Sequence, residues 1–112
     1  MIDELLKELQ PIMAAETQRA SEQYGDRYAS AHEAESVLRE EVNELDKETS
    51  EINTFMKFTT ENLHDLNNIH GDGENGKTGD NIENIKLHAL NAAAEAVQVV
   101  AVCEKISRGF EK

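Results

Sequence analysis

The feature that most constrains the fold is a repeated spacing of apolar or small residues in alternating steps of four and three. One such segment runs from Leu38 to Leu66 and another from Ile85 to Ile106. These steps keep side chains along one edge of an α-helix, as in the seam of a coiled coil. The chain has a single Pro and many Glu, Ala, Leu and Lys residues, which favour helix. The sequence therefore predicts an all-α helical bundle with one long central helix.

Local signals predict where the first helices begin and end. Pro11 predicts a break between a short helix at 2–9 and a second helix that has the proline in its first turn. Gly25 predicts that this second helix ends near Tyr24, because glycine readily closes a helix. Ser30 with Glu33 three residues later matches a capping box and predicts the start of the central helix. A break near residues 49–50 would split that helix into two.

The segment 71–80 is polar and rich in glycine, which predicts a loop. Its first eight residues match the phosphate-loop pattern G-x-x-x-x-G-K-[ST], but no apolar strand precedes them, and Asp72 would bring negative charge to the phosphates. The twelve residues from Asp72 resemble an EF-hand calcium loop, except that Lys77 stands where that loop needs glycine. We expect a solvated connector here, with the last helix beginning around Asp80 or Asn81.

Charge and cysteine content narrow the classes of function. Lys and Arg total 11 against 23 Asp and Glu, which gives a net charge of -12. This balance disfavours direct binding to nucleic acid, and it fits solubility, capture of divalent cations or mimicry of a nucleic acid. The single cysteine, Cys103, excludes an intrachain disulfide and is expected in the core. With no signal peptide or run of about 18 apolar residues, the chain is expected to be cytoplasmic without a membrane segment.

An acidic edge lies beside the apolar stripe of the central helix. At about 100° per residue, Glu41 and Glu44 share one face next to the stripe. Glu95 and Gln98 have the same spacing on the last helix, so an antiparallel pair would point three carboxylates and an amide into one cleft. Magnesium prefers such oxygen ligands together with substrate phosphates. The alternative is that these are helix-surface charges, with Glu95 paired to a lysine.

Three segments resemble, in order, the small MazG-like nucleotide pyrophosphohydrolases often found in phages and prophages. They are Ala15-Glu16-Thr17-Gln18-Arg19 to Tyr24-Gly25, then Val37 to Leu45, then Ala94 to Cys103. In that family an E-x-x-E helix and a later E-x-x-D helix bind magnesium, and water cleaves a nucleoside triphosphate to a monophosphate and pyrophosphate. The resemblance implies one domain over 1–112, with an inserted helix and loop at about 49–80.

The resemblance also implies a set of site residues. Glu41, Glu44 and Glu95 match the acids that hold Mg²⁺ or Mn²⁺, whereas Gln98 stands where the family usually has Asp. Glu40 is the candidate for assisting catalysis, and Glu48 is its alternative. The polar row on the last helix, which comprises His88, Asn91 and Gln98, is the candidate for binding substrate, although His88 alone is typical of a surface or packing histidine.

We further expect a homo-oligomer, a dimer or a tetramer, because the two long seams offer more apolar edge than one small bundle covers. The competing class of function is a non-catalytic acidic helical protein. Such a protein would be either an adaptor or an inhibitor that mimics nucleic acid, and its charge of -12 would be the functional property.

Overall fold

A computed structural model describes residues 1–62 and 74–111, and the side chains of all of these except 74–78. It contains three helices: α1 spans Ile2–Tyr24, α2 spans Ala31–Glu61 and α3 spans Glu74–Ser107. Among the described residues there is no β-strand, and an isolated bridge joins Tyr28 to Phe110. The prediction of an all-α helical bundle is confirmed.

Helix α1 is continuous, so the predicted break at Pro11 was wrong. A proline in a helix interior removes one backbone hydrogen bond, the one that its N–H would have donated to the carbonyl of Lys7. Both Lys7 and Pro11 are exposed, so water can hydrate that carbonyl. The φ angle of proline is itself helical, and strong helix formers on both sides carry the helix through.

The other predicted signals between α1 and α2 are confirmed. Helix α1 ends at Tyr24, and the N–H of Gly25 donates to the carbonyl of Ser21 at 2.9 Å. The hydroxyl of Ser30 accepts a hydrogen bond from the N–H of Glu33 at 3.1 Å, which caps the start of α2. Helix α2 then runs through residues 49–50 without a break.

Helix α3 begins at Glu74, so the predicted loop was wrong for residues 74–80. Glycine lowers helix stability by about 1 kcal/mol per residue but does not forbid helical dihedral angles. The end of the predicted central seam, at Leu66, and the start of the phosphate-loop pattern, at 71–73, lie outside the described residues.

The chain divides into two compact units, Met1–Asn43 with Glu95–Lys112 and Glu44–Ala94. The core of the first unit is formed by Tyr28, Ala34 and Val102, against which Val37, Leu38 and Ile106 pack. In the second unit Thr59 is buried. There the ring of Phe55 stacks on His88, with the centroids 5.7 Å apart.

The predicted seams are only partly buried. Cys103 is exposed, so the prediction that it lies in the core was wrong. The buried residues of α3 are instead Ala101, Val102 and Lys105, which lie on the row that carries Gln98. On α2, Val42 belongs to the predicted seam but is 44% exposed. Part of the predicted apolar seam therefore faces outward.

Between Gly79 and Ser107, α3 is long and apolar enough to cross a membrane by length and composition, with a mean hydropathy of 1.2. The same stretch contains Glu95, and a charged side chain at the centre of a bilayer costs about 3 kcal/mol. Only 11% of its most apolar stretch is buried within the chain. Helix α3 thus exposes apolar surface that the described part of this chain leaves uncovered.

The helix boundaries predict opposite effects for one substitution at two glycines. Gly25 has φ of 91° and ψ of 165°, so Gly25→Ala is expected to lower the free energy of unfolding by about 1–3 kcal/mol. An added Cβ would meet nothing within 4 Å there, so the cost is that of the backbone alone. Gly79→Ala, inside α3, is expected to raise stability by about 0.5–1 kcal/mol. Urea denaturation checks both, and equal effects would contradict these boundaries.

Candidate metal centre

Three carboxylates on α2 and α3 come together. Ligand oxygens of Glu41, Glu44 and Glu95 all lie within 4.8 Å of one another. Glu41 and Glu44 are one turn apart on α2, which continues without interruption between them and keeps both on the same side. Glu41 and Glu95 are half-buried, whereas Glu44 is exposed. The structure therefore brings together the three residues that the sequence predicted as metal ligands.

The chemistry of this cluster suits a hard divalent cation. Carboxylate oxygens are the ligands of Mg²⁺, which binds through one or two carboxylates and keeps several waters for exchange with substrate phosphates. Ionised carboxylates this close repel one another, and the partial burial of Glu41 and Glu95 weakens the screening of that repulsion by water. A bound cation would reverse the sign of the interaction. The residues present thus fit a magnesium or manganese ion.

Gln98, the residue that stands in place of the family aspartate, contacts a carboxylate from α1. Its amide donates a hydrogen bond to Glu16 Oε1 at 2.8 Å. Arg19 holds the same carboxylate from the other side, with its guanidinium donating to both oxygens at 2.5 and 3.0 Å. The hydrogen bonds from Arg19 and then Gln98 lower the pKa of Glu16 from 4.5 to about 2. Gln98, one helical turn after Glu95, thus contacts a carboxylate of another helix that is ionised at neutral pH.

The other candidate site residues, His88, Asn91 and Glu40, lie at separate positions on α2 and α3. His88 Nδ1 donates to Glu48 Oε2 at 2.6 Å, and both side chains are 21% exposed. This contact engages Glu48, the alternative for assisting catalysis. Asn91 is exposed on α3, one turn before Glu95. Glu40 is exposed on α2, and it is rotated about 100° around the helix from Glu41.

A cavity of about 480 Å³ lies next to this centre, inside the first unit. Glu41 and Gln98 are in its wall, as are Arg19, Tyr28 and Lys105. Its volume is in the range of pockets that hold small molecules. The cavity thus combines a carboxylate of the acidic cluster with cationic and aromatic side chains.

Sequence reasoning missed the partners that tertiary packing brings in. Glu16 and Gln98 are 82 positions apart, and nothing in their local spacing links them. Lys105 is 91% buried even though lysine is normally a surface residue. One available signal was its position on the inward row of α3, seven residues after Gln98.

No protein-family model, curated protein or solved structure matches this chain. The resemblance to MazG-like pyrophosphohydrolases therefore rests on the quoted motifs.

The contact between Glu16 and Gln98 predicts that a single acidic replacement destabilises the fold. In Gln98→Asp the amide donor is lost and a second carboxylate faces Glu16, so the free energy of unfolding is expected to fall by about 1–2 kcal/mol. The double variant Glu16→Gln/Gln98→Asp restores a donor and an acceptor and should recover most of that loss. Urea denaturation of the two single variants and the double variant measures this coupling. Strictly additive effects would contradict the contact.

Acid titration offers a second check on Glu16. Its pKa is depressed in the folded state, so the stabilisation is fully present above about 4.5 and is lost as pH falls towards about 2. Glu16→Gln should therefore flatten the loss of stability between pH 4.5 and 2. Glu8→Gln, on the same helix and exposed, is the matched control and should leave the parent profile unchanged.

Proposed function

We propose that this chain is a metal-dependent nucleoside triphosphate pyrophosphohydrolase of the MazG-like type. The observation that carries the proposal is the approach of Glu41, Glu44 and Glu95 to within 4.8 Å of one another. In the MazG-like family, the E-x-x-E motif and the later E-x-x-D motif imply such a cluster of acids on two helices. The substrate is a (d)NTP and the products are a (d)NMP and pyrophosphate.

The proposed cofactor is Mg²⁺, or Mn²⁺ in its place. The metal supplies polarisation of a phosphoryl oxygen and a bound water of lowered pKa. Glu41, Glu44 and Glu95 hold it. Glu40 is the candidate for receiving the proton of the attacking water, because it is exposed next to the cluster and can move into place.

The polar row of α3 serves the substrate. Asn91 is exposed one turn from Glu95 and is available for hydrogen bonds to sugar or phosphate. His88 is oriented by Glu48 and Phe55, so its free ring nitrogen, Nε2, is the group that can act on a ligand. Gln98 contributes by orienting Glu16 beside the cavity.

A hydrolysis assay tests the proposal. The parent protein, with Mg²⁺ or Mn²⁺ and a panel of nucleoside triphosphates, is expected to release pyrophosphate. Glu95→Gln should reduce turnover by about 100-fold or more, since a metal stabilises the transition state by several kcal/mol. It should also abolish any rise in melting temperature with Mg²⁺.

The matched control is Glu83→Gln, which removes an exposed carboxylate from the same helix. It should retain both turnover and the effect of Mg²⁺ on melting. Identical magnesium isotherms for the parent and Glu95→Gln would contradict the shared metal site. That result would favour the alternative function of an acidic interaction protein, which the charge of -12 supports.

The proposal includes a homo-oligomer, dimer or tetramer. Helix α1 has no buried residue, and its Leu5 and Leu6 are 54% and 47% exposed. Association with further copies would cover this apolar surface.

Light scattering at micromolar concentration tests the oligomer. The parent is expected to give a mass at least twice 12.5 kDa, because burial of α1 lowers the free energy by about 25 cal/mol per Å² of apolar surface. Leu5→Glu/Leu6→Glu should shift it to monomer with unchanged helix content. Lys7→Glu, on the opposite side of α1, is the control and should remain associated. A parent of monomer mass would remove this part of the proposal.

A further inference from the structure

Two helices expose apolar side chains on one face each. On α1 this face, called here the α1 face, consists of four large side chains that are about half exposed or more, namely Ile2, Leu5, Leu6 and Ile12. On α3, Leu87 and Leu90 are 52% and 61% exposed. They follow the exposed Ala94 in steps of three and four, so the three residues share one side of the helix, called here the α3 face. Contiguous apolar surface of this kind is typical of interaction sites.

The two faces differ in the size of their side chains. The α1 face has only large, branched side chains, whereas the α3 face is built from two leucines and an alanine, with further exposed alanines beside it at 89 and 93. Helices pack when the ridges of one fit the grooves of the other, and small side chains allow a close approach. The α3 face therefore offers a groove that side chains such as Leu5 and Leu6 can fill.

Charge also favours contact between unlike faces. Residues 2–10 of α1 carry one lysine against three acids, which are Asp3, Glu4 and Glu8. Contact between two α1 faces would bring two such negative segments together. Residues 81–94 of α3 carry one acid and one lysine, Glu83 and Lys86, and are neutral overall in a chain with a net charge of -12. An α1 face can thus approach an α3 face without that repulsion.

A second copy of the chain can cover both faces at once. In the described part of one chain both faces stay exposed. Each copy carries one α1 face and one α3 face, so a twofold axis repeats the same contact in both directions and leaves neither face open. One contact between two short helical segments is smaller than the roughly 1,200 Å² at which stable specific interfaces begin. The reciprocal contact doubles the buried area.

From these features we propose that the chain forms a twofold dimer in which the α1 face of each copy packs on the α3 face of the other. The inference deepens the proposed function by naming the surface that covers α1, and it rests on the homo-oligomer of that proposal. It is independent of the metal centre.

Charges of opposite sign on the two faces test this pairing. Leu5→Lys and Leu90→Glu each place an unpaired charge in both contacts of a dimer, so each is expected to weaken association by about 100-fold or more in sedimentation equilibrium. An equimolar mixture of the two variants is expected to regain the mass of the parent. In the mixed dimer the lysine meets the glutamate in one contact, and the other contact has the residues of the parent.

The control is Met56→Glu, which places a charge at a 51% exposed apolar position of α2. It should associate as the parent does. Circular dichroism should show the helix content of the parent in all three variants, because each change is at an exposed position.

A measurement on the parent covers a variant that does not fold. Amine cross-linking of mixed isotopically heavy and light chains should join Lys7 of one copy to Lys86 of another, since both lysines are exposed. Variants that stay apart when mixed, or cross-links between copies that join only Lys7 to Lys7, would overturn the inference and leave an associated parent in place. A parent of monomer mass would overturn both. If the mixture regains the mass of the parent but no triphosphate is hydrolysed, the inference stands and the proposed enzymatic activity fails.

Discussion

The proposed function of this chain depends on the approach of three carboxylates, whose ligand oxygens share a space less than 5 Å across. At an effective dielectric constant of about 20, two ionised carboxylates at that distance repel each other by about 3 kcal/mol. Two of them, Glu41 and Glu95, are half-buried, so packing of α2 against α3 at this level works against their charge. A cation bound between these carboxylates would attract both of them. A metal ion at the proposed centre would therefore also favour the packing of α2 against α3.

The inward turn of the acidic edge also accounts for the exposed apolar residues. A helix has one face to bury, and in the first unit that face of α3 is the row containing Gln98, Val102 and Lys105. The neighbouring seam is only partly covered, since Cys103 is exposed whereas Ile106 packs against the core. On α2 the half-burial of Glu41 goes with the exposure of Val42 in the same way. The polar interior of the site and the apolar exterior have a common cause in the rotation of these helices.

Local chemistry was enough to predict part of this structure. Gly25 ends α1 and Ser30 caps α2 because both act through the backbone of their own neighbourhood. The break predicted at Pro11 was wrong because proline lowers helix stability only locally, and the helix-forming residues on both sides outweigh that loss. The contact between Glu16 and Gln98 could not be predicted, since only the packing of α1 against α3 brings them together. The approach of Glu41, Glu44 and Glu95 could be predicted because the same polar spacing occurs on two helices.

The contact between Gln98 and Glu16 bears on the aspartate that the resemblance to MazG-like proteins implies at position 98. In a motif of two acids on α3, loss of the second one removes a charge from the site, and Gln98 alone would be a weak substitute. Here the amide of Gln98 donates to Glu16, and Arg19 keeps that carboxylate ionised. A negative charge is thereby retained beside the cavity, but it comes from α1 and is shared with a guanidinium. Such a carboxylate attracts a metal less strongly than a free aspartate and is better suited to hold water or orient a donor. Under the proposed function, coordination of the metal would therefore fall to Glu41, Glu44 and Glu95.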